Sequence, residues 1–278
     1  MAKRDSGWWF LKTMIRKGRI EVAMSQREFG DAVDRSKETI HAWETGKTDI
    51  SAHSIGNIAK ACGLSEEISE YMKSVARARK SGMPIEATAR LNALFVALAE
   101  EYYGDVFKWD PHLIPGPLQT ERYHFIVILK TEPTASESRL RSGWKFKSQR
   151  RKAIGSRTDG PVFQFLIGEA AMIQLRRESE ELYQEQLAYL REWAARPGVE
   201  IRILTEPVRS GEGMFSIYKP GESELAGPPF VYTEGHDSSW CIDDLDRIAS
   251  YDDFRKTKWK LAIRIEDYGD DYRCDRMA

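Results

Sequence analysis

Apolar positions recur at helical spacing through the first eighty residues. Between 8 and 24, Trp9, Leu11, Met14, Ile15, Val22 and Met24 stand among cationic side chains in an uneven helical stripe that breaks near Gly18. Ser25 is a good N-cap with Glu28 three residues on, a capping box, and Phe29 and Val33 share one face of the short helix that follows. Ser36 caps again with Thr39 in place of a capping Glu or Gln. Ile40 and Trp43 form an apolar i, i+3 pair before Gly46 ends a third helix. Ser51 opens a fourth helix with Ile55, Ile58, Ala59 and Cys62 inward and Gly63 as its stop. A fifth, over 66–80, carries Ile68, Tyr71, Met72 and Val75.

The pattern then changes. "KSGMP" at 80–84 marks a boundary. Residues 85–103 read as one more helix, and "WDPHLIPGPLQ" places three prolines within seven residues, which no helix interior accommodates. Helices resume at 118–130 and 136–153. "PVFQFLIGEAAMIQL" reads as a buried strand passing into a helix, "EELYQEQLAYLREWAARPG" as a second amphipathic helix and "VEIRILT" as a strand. That order predicts a parallel, right-handed βαβ unit. "GMFSIYK" and "PFVYTEG" are two further strands, and 243–266 a closing helix. The expected fold class is α+β overall: an N-terminal all-α five-helix domain over 1–80, a linker and connecting helix over 81–104, and a larger mixed-sheet α/β domain over 105–278.

Composition narrows the function. With 41% hydrophobic and 31% charged residues and no apolar run near the ~18 residues of a membrane helix, the expectation is a globular protein without a membrane span. The start "MAKRDSGWWFLKTMIRKGR" lacks an apolar signal core, so a cytoplasmic address is expected. Cys62, Cys241 and Cys274 form no CxxC pair and read as reduced thiols. The five histidines make no HExxH or HxH set, so neither a metal nor a cofactor is expected. Residues 1–80 hold 15 Lys and Arg against 11 Asp and Glu, a net +4, and the rest 27 against 32, a net −5. That asymmetry fits a DNA-binding head but is far below a strong basic footprint.

"SQREFGDAVDRSKETIHAWETGK", 25–47, supplies the parts of a helix-turn-helix reader. Gly30 permits close approach of two short helices, and Asp34 stands at a turn that requires a left-handed residue. Ile40 and Trp43 face inward, and Lys37, Glu38, His41 and Ala42 therefore face outward. The stretch resembles the lambda-repressor-like (Xre-type) helix-turn-helix, matching at Ser25, Gln26, Phe29, Gly30, Ser36, Thr39, Ile40, Trp43, Glu44 and Gly46 and continuing through Ile55, Ile58, Ala59, Gly63 and Leu64. The resemblance implies that Gln26 caps the second helix against a DNA phosphate and that Lys37 and Glu38 face base edges. Lys37 suits guanine O6 and N7, Glu38 cytosine N4, and Ala42 a thymine methyl. Thr45 and Lys47 suit phosphates. Asp34 replaces the usual turn glycine and Arg35 a small apolar residue; Asp34 puts a negative charge near DNA, so a modest affinity is expected unless Arg35 offsets it. The candidate DNA-contacting set is Gln26, Arg35, Ser36, Lys37, Glu38, Thr39, His41, Ala42, Thr45 and Lys47.

"WDPHLIPGPLQTERY", 109–123, resembles the P-G-L-L-Q-T segment of a large set of mainly actinobacterial, antitoxin-like regulators. "RLRSGWKFKSQRRKAI", "FQFLIGEAAMIQL" and "GVEIRILT" extend the similarity, so that it spans about 105–265. The sequence departs from that family at Pro117, where the motif has Leu, and in the acidic tail "IEDYGDDYRCDRMA". That family implies a transcriptional regulator encoded beside a small partner protein. Glu169 and the Glu234, His236 and Asp237 loop are the best carboxylate and imidazole candidates for catalysis. No nucleophile elbow, Walker loop or GxGxxG accompanies them, and no catalytic residue is assigned. Trp109, Trp144, Trp193, Trp240 and Trp259 suit either a pocket or the core. The expected partners are double-stranded DNA with an inverted repeat, a second copy of the chain, and a small neighbour-encoded protein or small ligand. The alternative is an antitoxin-like interaction module that sequesters such a neighbour with little DNA binding.

Overall fold

In the computed structural model, which describes residues 5–209 and 211–269, residues 6–81 are all-helical and a larger mixed α/β region follows. Five helices form the first part: α1 (Ser6–Glu21), α2 (Gln26–Ala32), α3 (Lys37–Glu44), α4 (Ala52–Ala61) and α5 (Glu66–Ser81). Their starts follow from local chemistry. Asp5, Ser25, Ser36, Ser51 and Ser65 each turn a side-chain oxygen onto a first-turn N–H of the helix that follows. Gly18 does not break α1; it lies against Cys62, where a Cβ would stand 2.7 Å from the sulfur, so the glycine permits close helix contact.

The remaining elements are β1 (Ile85–Ala87), α6 (Ala89–Tyr102), β2 (Asp105–Asp110), a 3-10 turn (Gly116–Leu118), α7 (Glu121–Tyr123), a π-helical turn (His124–Ile128), α8 (Leu129–Thr131) and α9 (Glu137–Gly155). Then come β3 (Val162–Gly168), α10 (Glu169–Glu178), α11 (Glu180–Ala194), β4 (Val199–Leu204), β5 (Phe215–Lys219), β6 (Phe230–Glu234), β7 (Ser239–Ile242), α12 (Leu245–Leu261) and β8 (Ile263–Arg264). The helix expected over 85–103 begins at Ala89, because 85–87 pair antiparallel with β7, Ile85 opposite Cys241. The helix expected to run to 266 stops at Leu261, because Ile263 and Arg264 pair with β4. β2 and β7 were not expected as strands. Cys274 and part of the acidic tail lie outside the described residues.

The chain divides into two compact units: residues up to Ala99 with Leu225–Ile248, and Glu100–Glu224 with the chain from Ala249 on. In the first, β1, β7 and β6 pair antiparallel. Its core is aromatic. Phe10 stacks on Phe95 at 4.6 Å and meets Tyr71 edge-on at 5.6 Å, Phe95 meets Phe230 at 5.1 Å, and the Trp9 indole N–H donates to the Leu225 carbonyl at 3.0 Å. Buried Asn92 ties three elements together: it accepts from the Tyr71 hydroxyl at 2.5 Å and donates to the Ser239 carbonyl and hydroxyl at 2.8 and 3.0 Å.

In the second unit the strand order is β5-β2-β3-β4-β8, with β2, β3 and β4 parallel and β5 and β8 antiparallel to their neighbours. The parallel β3–β4 pair with α10 and α11 between is the βαβ unit that the sequence predicts. Glu100, with no exposed surface, accepts two hydrogen bonds from Arg150 at 2.7 and 2.6 Å and pairs with Lys108 at 2.7 Å. Burial pushes its carboxyl up, but the Arg150 and Lys108 charges outweigh that and hold it down at about 2.

Candidate nucleic-acid interface

The turn between α2 and α3 is built from two backbone devices. Arg35 N–H donates to the Gly30 carbonyl at 2.8 Å, and a Cβ on Gly30 would stand 2.5 Å from the Arg35 carbonyl oxygen, a distance that real side chains do not reach. Asp34 takes a φ of 56°, the left-handed conformation that its place in the sequence requires. Upstream, the Ser25 hydroxyl accepts from Glu28 N–H and the Glu28 carboxylate accepts from Ser25 N–H, closing the capping box.

Burial then fixes which face of α3 is outward. Phe29, Val33, Ile40 and Trp43 are buried, and Lys37, Glu38 and His41 are exposed on the opposite side, with Ala42 and Thr39 half-buried beside them. The Ser36 hydroxyl accepts from Thr39 N–H at 3.2 Å and holds the first turn. Glu38 is fully exposed, and its own backbone N–H, then the Ser36 hydroxyl, hold its carboxyl below the usual range. It is therefore an acceptor at neutral pH.

Past the helix, Gly46 is left-handed at φ 69°, Gly46 N–H returns to Trp43 and Lys47 N–H returns to Ala42, a Schellman close that sets exposed Lys47 at the end of the helix. Exposed Thr45 donates its hydroxyl to the His41 carbonyl at 2.7 Å. The Trp8 indole donates to the Gly46 carbonyl at 3.1 Å, which ties α1 to this corner.

Two candidates are engaged by the protein itself. The Gln26 amide donates to Glu44 at 2.8 Å, and Glu44 is gripped by both Nε and Nη2 of Arg19 at 2.5 and 3.1 Å. One Gln26 N–H and its carbonyl are left for other contacts. Arg35 bonds the Asp34 carbonyl at 2.6 Å, so its charge lies at the turn, next to that of Asp34. The Arg19–Glu44 clamp was missed by sequence reasoning; the motif match at Glu44 was its signal.

A family model described as a domain of unknown function, DUF5753, matches residues 96–267, more than half of the chain, and a helix-turn-helix model matches 15–68. The chain belongs to the DUF5753 family. Both resemblances read from the sequence agree with these matches. No curated protein and no solved structure matches the chain.

Within the DUF5753 region, the Pro-rich segment is a clasp. Gln119 donates to the Ile114 carbonyl at 2.7 Å and accepts from Lys147 at 2.7 Å; Thr120 N–H donates to Gln186, which donates back to the Leu118 carbonyl. Ile114 N–H donates to the Tyr123 hydroxyl at 3.0 Å. His124 Nε2 lies 2.9 Å from the Leu140 carbonyl, which fixes that nitrogen as the donor and leaves Nδ1 to accept from Lys147 at 3.0 Å. Burial, then the Arg150 charge, push the Lys147 ammonium down to about 8, and burial lowers His124.

The catalytic candidates belong to different units: Glu169 opens α10 in the second, and Glu234, His236 and Asp237 are exposed in the first. The tryptophans divide too. Trp109 and Trp193 are buried, Trp144 and Trp259 half-buried in the same unit, and Trp240 belongs to the other. Among the described residues no cluster of His, Cys, Asp and Glu is arranged to hold a metal, and no helix is long and apolar enough to cross a membrane. Cys62 and Cys241 are free and buried, and burial pushes both thiols up, Cys62 to about 11.

Proposed function

We propose that the protein is a cytoplasmic, sequence-specific DNA-binding transcription regulator. Residues 1–80 act as its reading head, 81–104 connect, and 105–278 dimerise and receive a partner-protein or small-molecule signal. The observation that carries this reading is the outward face of α3. Lys37, Glu38 and His41 project from a helix whose other side is locked by Ile40 and Trp43, behind a left-handed turn at Asp34. A cation and an anion side by side at the start of a recognition helix suit a guanine and a cytosine edge, with roughly 1 to 3 kcal/mol of discrimination from each good bidentate pair. Gln26, Arg35, Ser36, Thr39, Thr45 and Lys47 border that face and suit phosphates, with Ala42 against a thymine methyl. One short helix reads few base pairs, so two copies with heads about 34 Å apart would read an inverted repeat.

The test is selection of full-length protein against random DNA at low and moderate salt. An inverted repeat that persists as salt rises supports the reading; recovery that is sequence-independent, or lost once phosphates are screened, refutes it. Lys37→Ala relaxes preference at one base pair, whereas Lys47→Ala weakens all sequences evenly and lowers the salt slope by about 1. The exposed carboxylates of Asp31 and Asp34 beside the turn favour a second reading, an antitoxin-like module that holds a small protein instead of DNA. A stable complex with such a protein and no salt-sensitive DNA binding would select it.

A further inference from the structure

Arg151, on α9, is held between two aromatic rings: its guanidinium carbon lies 4.7 Å from the ring of Trp144 and 5.5 Å from the ring of Tyr189, on α11. Its Nη1 donates to the Tyr189 hydroxyl at 2.7 Å. The group is thereby fixed in position and in plane. Its Nε and Nη2, the pair that forms the side-on fork, are shut off from solvent and have no hydrogen-bond partner among the described residues.

That fork has a consistent use elsewhere in the molecule. Arg19 grips Glu44 with Nε and Nη2, Arg150 grips Glu100, Arg202 grips Glu200 and Arg157 grips Asp159, each through the same two nitrogens. Arg151 directly follows Arg150 on the helix and has no carboxylate on its own. A buried, unpaired charged donor carries the full desolvation cost of the group, so a native chain that keeps one has a use for it. A third donor lies one turn beyond Tyr189: Trp193 Nε1 is also buried without a partner, its ring 6.5 Å from that of Tyr189. Among the described residues, three buried donors along these two helices, Arg151 Nε and Nη2 and Trp193 Nε1, thus have no acceptor.

The two helices together carry a positive excess: α9 has seven Lys and Arg against one Glu, Glu137, which is taken by Arg141, and α11 has four Glu against one Arg. We propose that the α9–α11 seam binds a small molecule through its carboxylate or phosphate, seated on the Arg151 fork, and that this oxyanion is the signal which the C-terminal region receives. Trp144, Arg151 and Tyr189 are each half-buried, so the seam reaches the surface, and binding as proposed requires Trp144 to move off the fork. The signalling part rests on the regulator reading above; the binding part does not.

The experiment uses the full chain in chloride buffer, titrated with inorganic phosphate and, separately, with acetate, against chloride at equal ionic strength. Melting temperature and tryptophan emission are recorded. The expected result is a saturable rise in melting temperature with one of the two anions, absent in Arg151→Met and at least tenfold weaker in Arg151→Lys, which keeps the charge but loses the fork. Phosphate and acetate distinguish a tetrahedral from a planar ligand. If neither anion acts beyond chloride, or if Arg151→Lys responds as the wild type does, the site is refuted, even where Arg151→Met fails to fold. DNA affinity is then measured with and without the anion that binds. A change in the wild type that Arg151→Lys lacks supports the signal role, and binding with no effect on DNA refutes that role. A chain that binds the anion but no DNA refutes the regulator reading and the signal role and leaves the site in place.

Discussion

Asn92 is the residue on which the first unit's assembly most directly depends, and Asn92→Ala measures that dependence. The carboxamide has no exposed surface; it receives the Tyr71 hydroxyl, donates to the Ser239 carbonyl and hydroxyl, and the Ser239 hydroxyl in turn donates to the Ala87 carbonyl at 3.0 Å. Its removal leaves the O–H of Tyr71, a residue 2% exposed, without an acceptor and takes the Asn92 donor from both the Ser239 carbonyl and hydroxyl. Each such buried group costs about 1 to 3 kcal/mol, and the lost volume adds to it, so a loss of about 3 to 5 kcal/mol is expected. Urea unfolding of the full chain, followed by circular dichroism, gives the value. Tyr71→Phe alone should cost less, and the double variant should cost less than the sum of the two singles, because the pair shares one hydrogen bond. A loss below about 1 kcal/mol, or additivity within about 0.5 kcal/mol, would refute the argument. The same contacts predict that a fragment ending at residue 80 is far less stable than the full chain. It lacks Asn92, Phe95 and Phe230, and so exposes Trp9, Phe10 and Tyr71.

Glu100→Gln strands the Arg150 and Lys108 charges in the interior and should cost about 3 to 5 kcal/mol. Because the carboxyl is lowered to about 2 from an ordinary 4.5, its contribution is complete above pH 4.5 and is lost as pH falls through 2. The variant should therefore show a shallower acid limb between those values, and an unchanged limb would contradict the assignment. Gly30→Ala forces a Cβ onto the Arg35 carbonyl and should cost about 1 to 3 kcal/mol by urea unfolding while weakening DNA binding; a neutral result would mean that the turn is not tight. Asp34→Gly removes a strained φ and a negative charge at the turn. It should gain up to about 1 kcal/mol in stability and raise DNA affinity, most visibly at low salt, and a drop in affinity would mean that the Asp34 carboxylate itself has a role in recognition.

The head was legible because its signals are local. Ser25, Ser36 and Ser51 open their helices where the sequence places them, Gly46 and Gly63 close theirs in the left-handed conformation, and the i, i+3 pair Ile40 and Trp43 fixes the outward face without reference to any distant residue. What the sequence hid was the identity of Glu44 as a clamp. Arg19 is 25 residues away, and only a shared corner brings the two together.

The sheet was less legible, for a reason that the register makes plain. Three residues, 85–87, carry no period of their own, and they are a strand because Ile85 stands opposite Cys241 and Ala87 opposite Ser239, more than 150 residues on. β7 in turn lies in a stretch whose Gly, Asp and Ser content reads as loop, and it is a strand because β6 and β1 flank it. Such elements cost more loop closure than their own hydrogen bonds return, so side chains that cross between elements must hold them. Asn92 does this with both ends of one amide, and Phe95 does it with a ring between Phe10 and Phe230. A segment from the C-terminal half of the sequence therefore completes the core against which α1 and α5 pack. The recognition helix depends on that core in turn, since α1 holds its end through Trp8 and the Gly46 carbonyl.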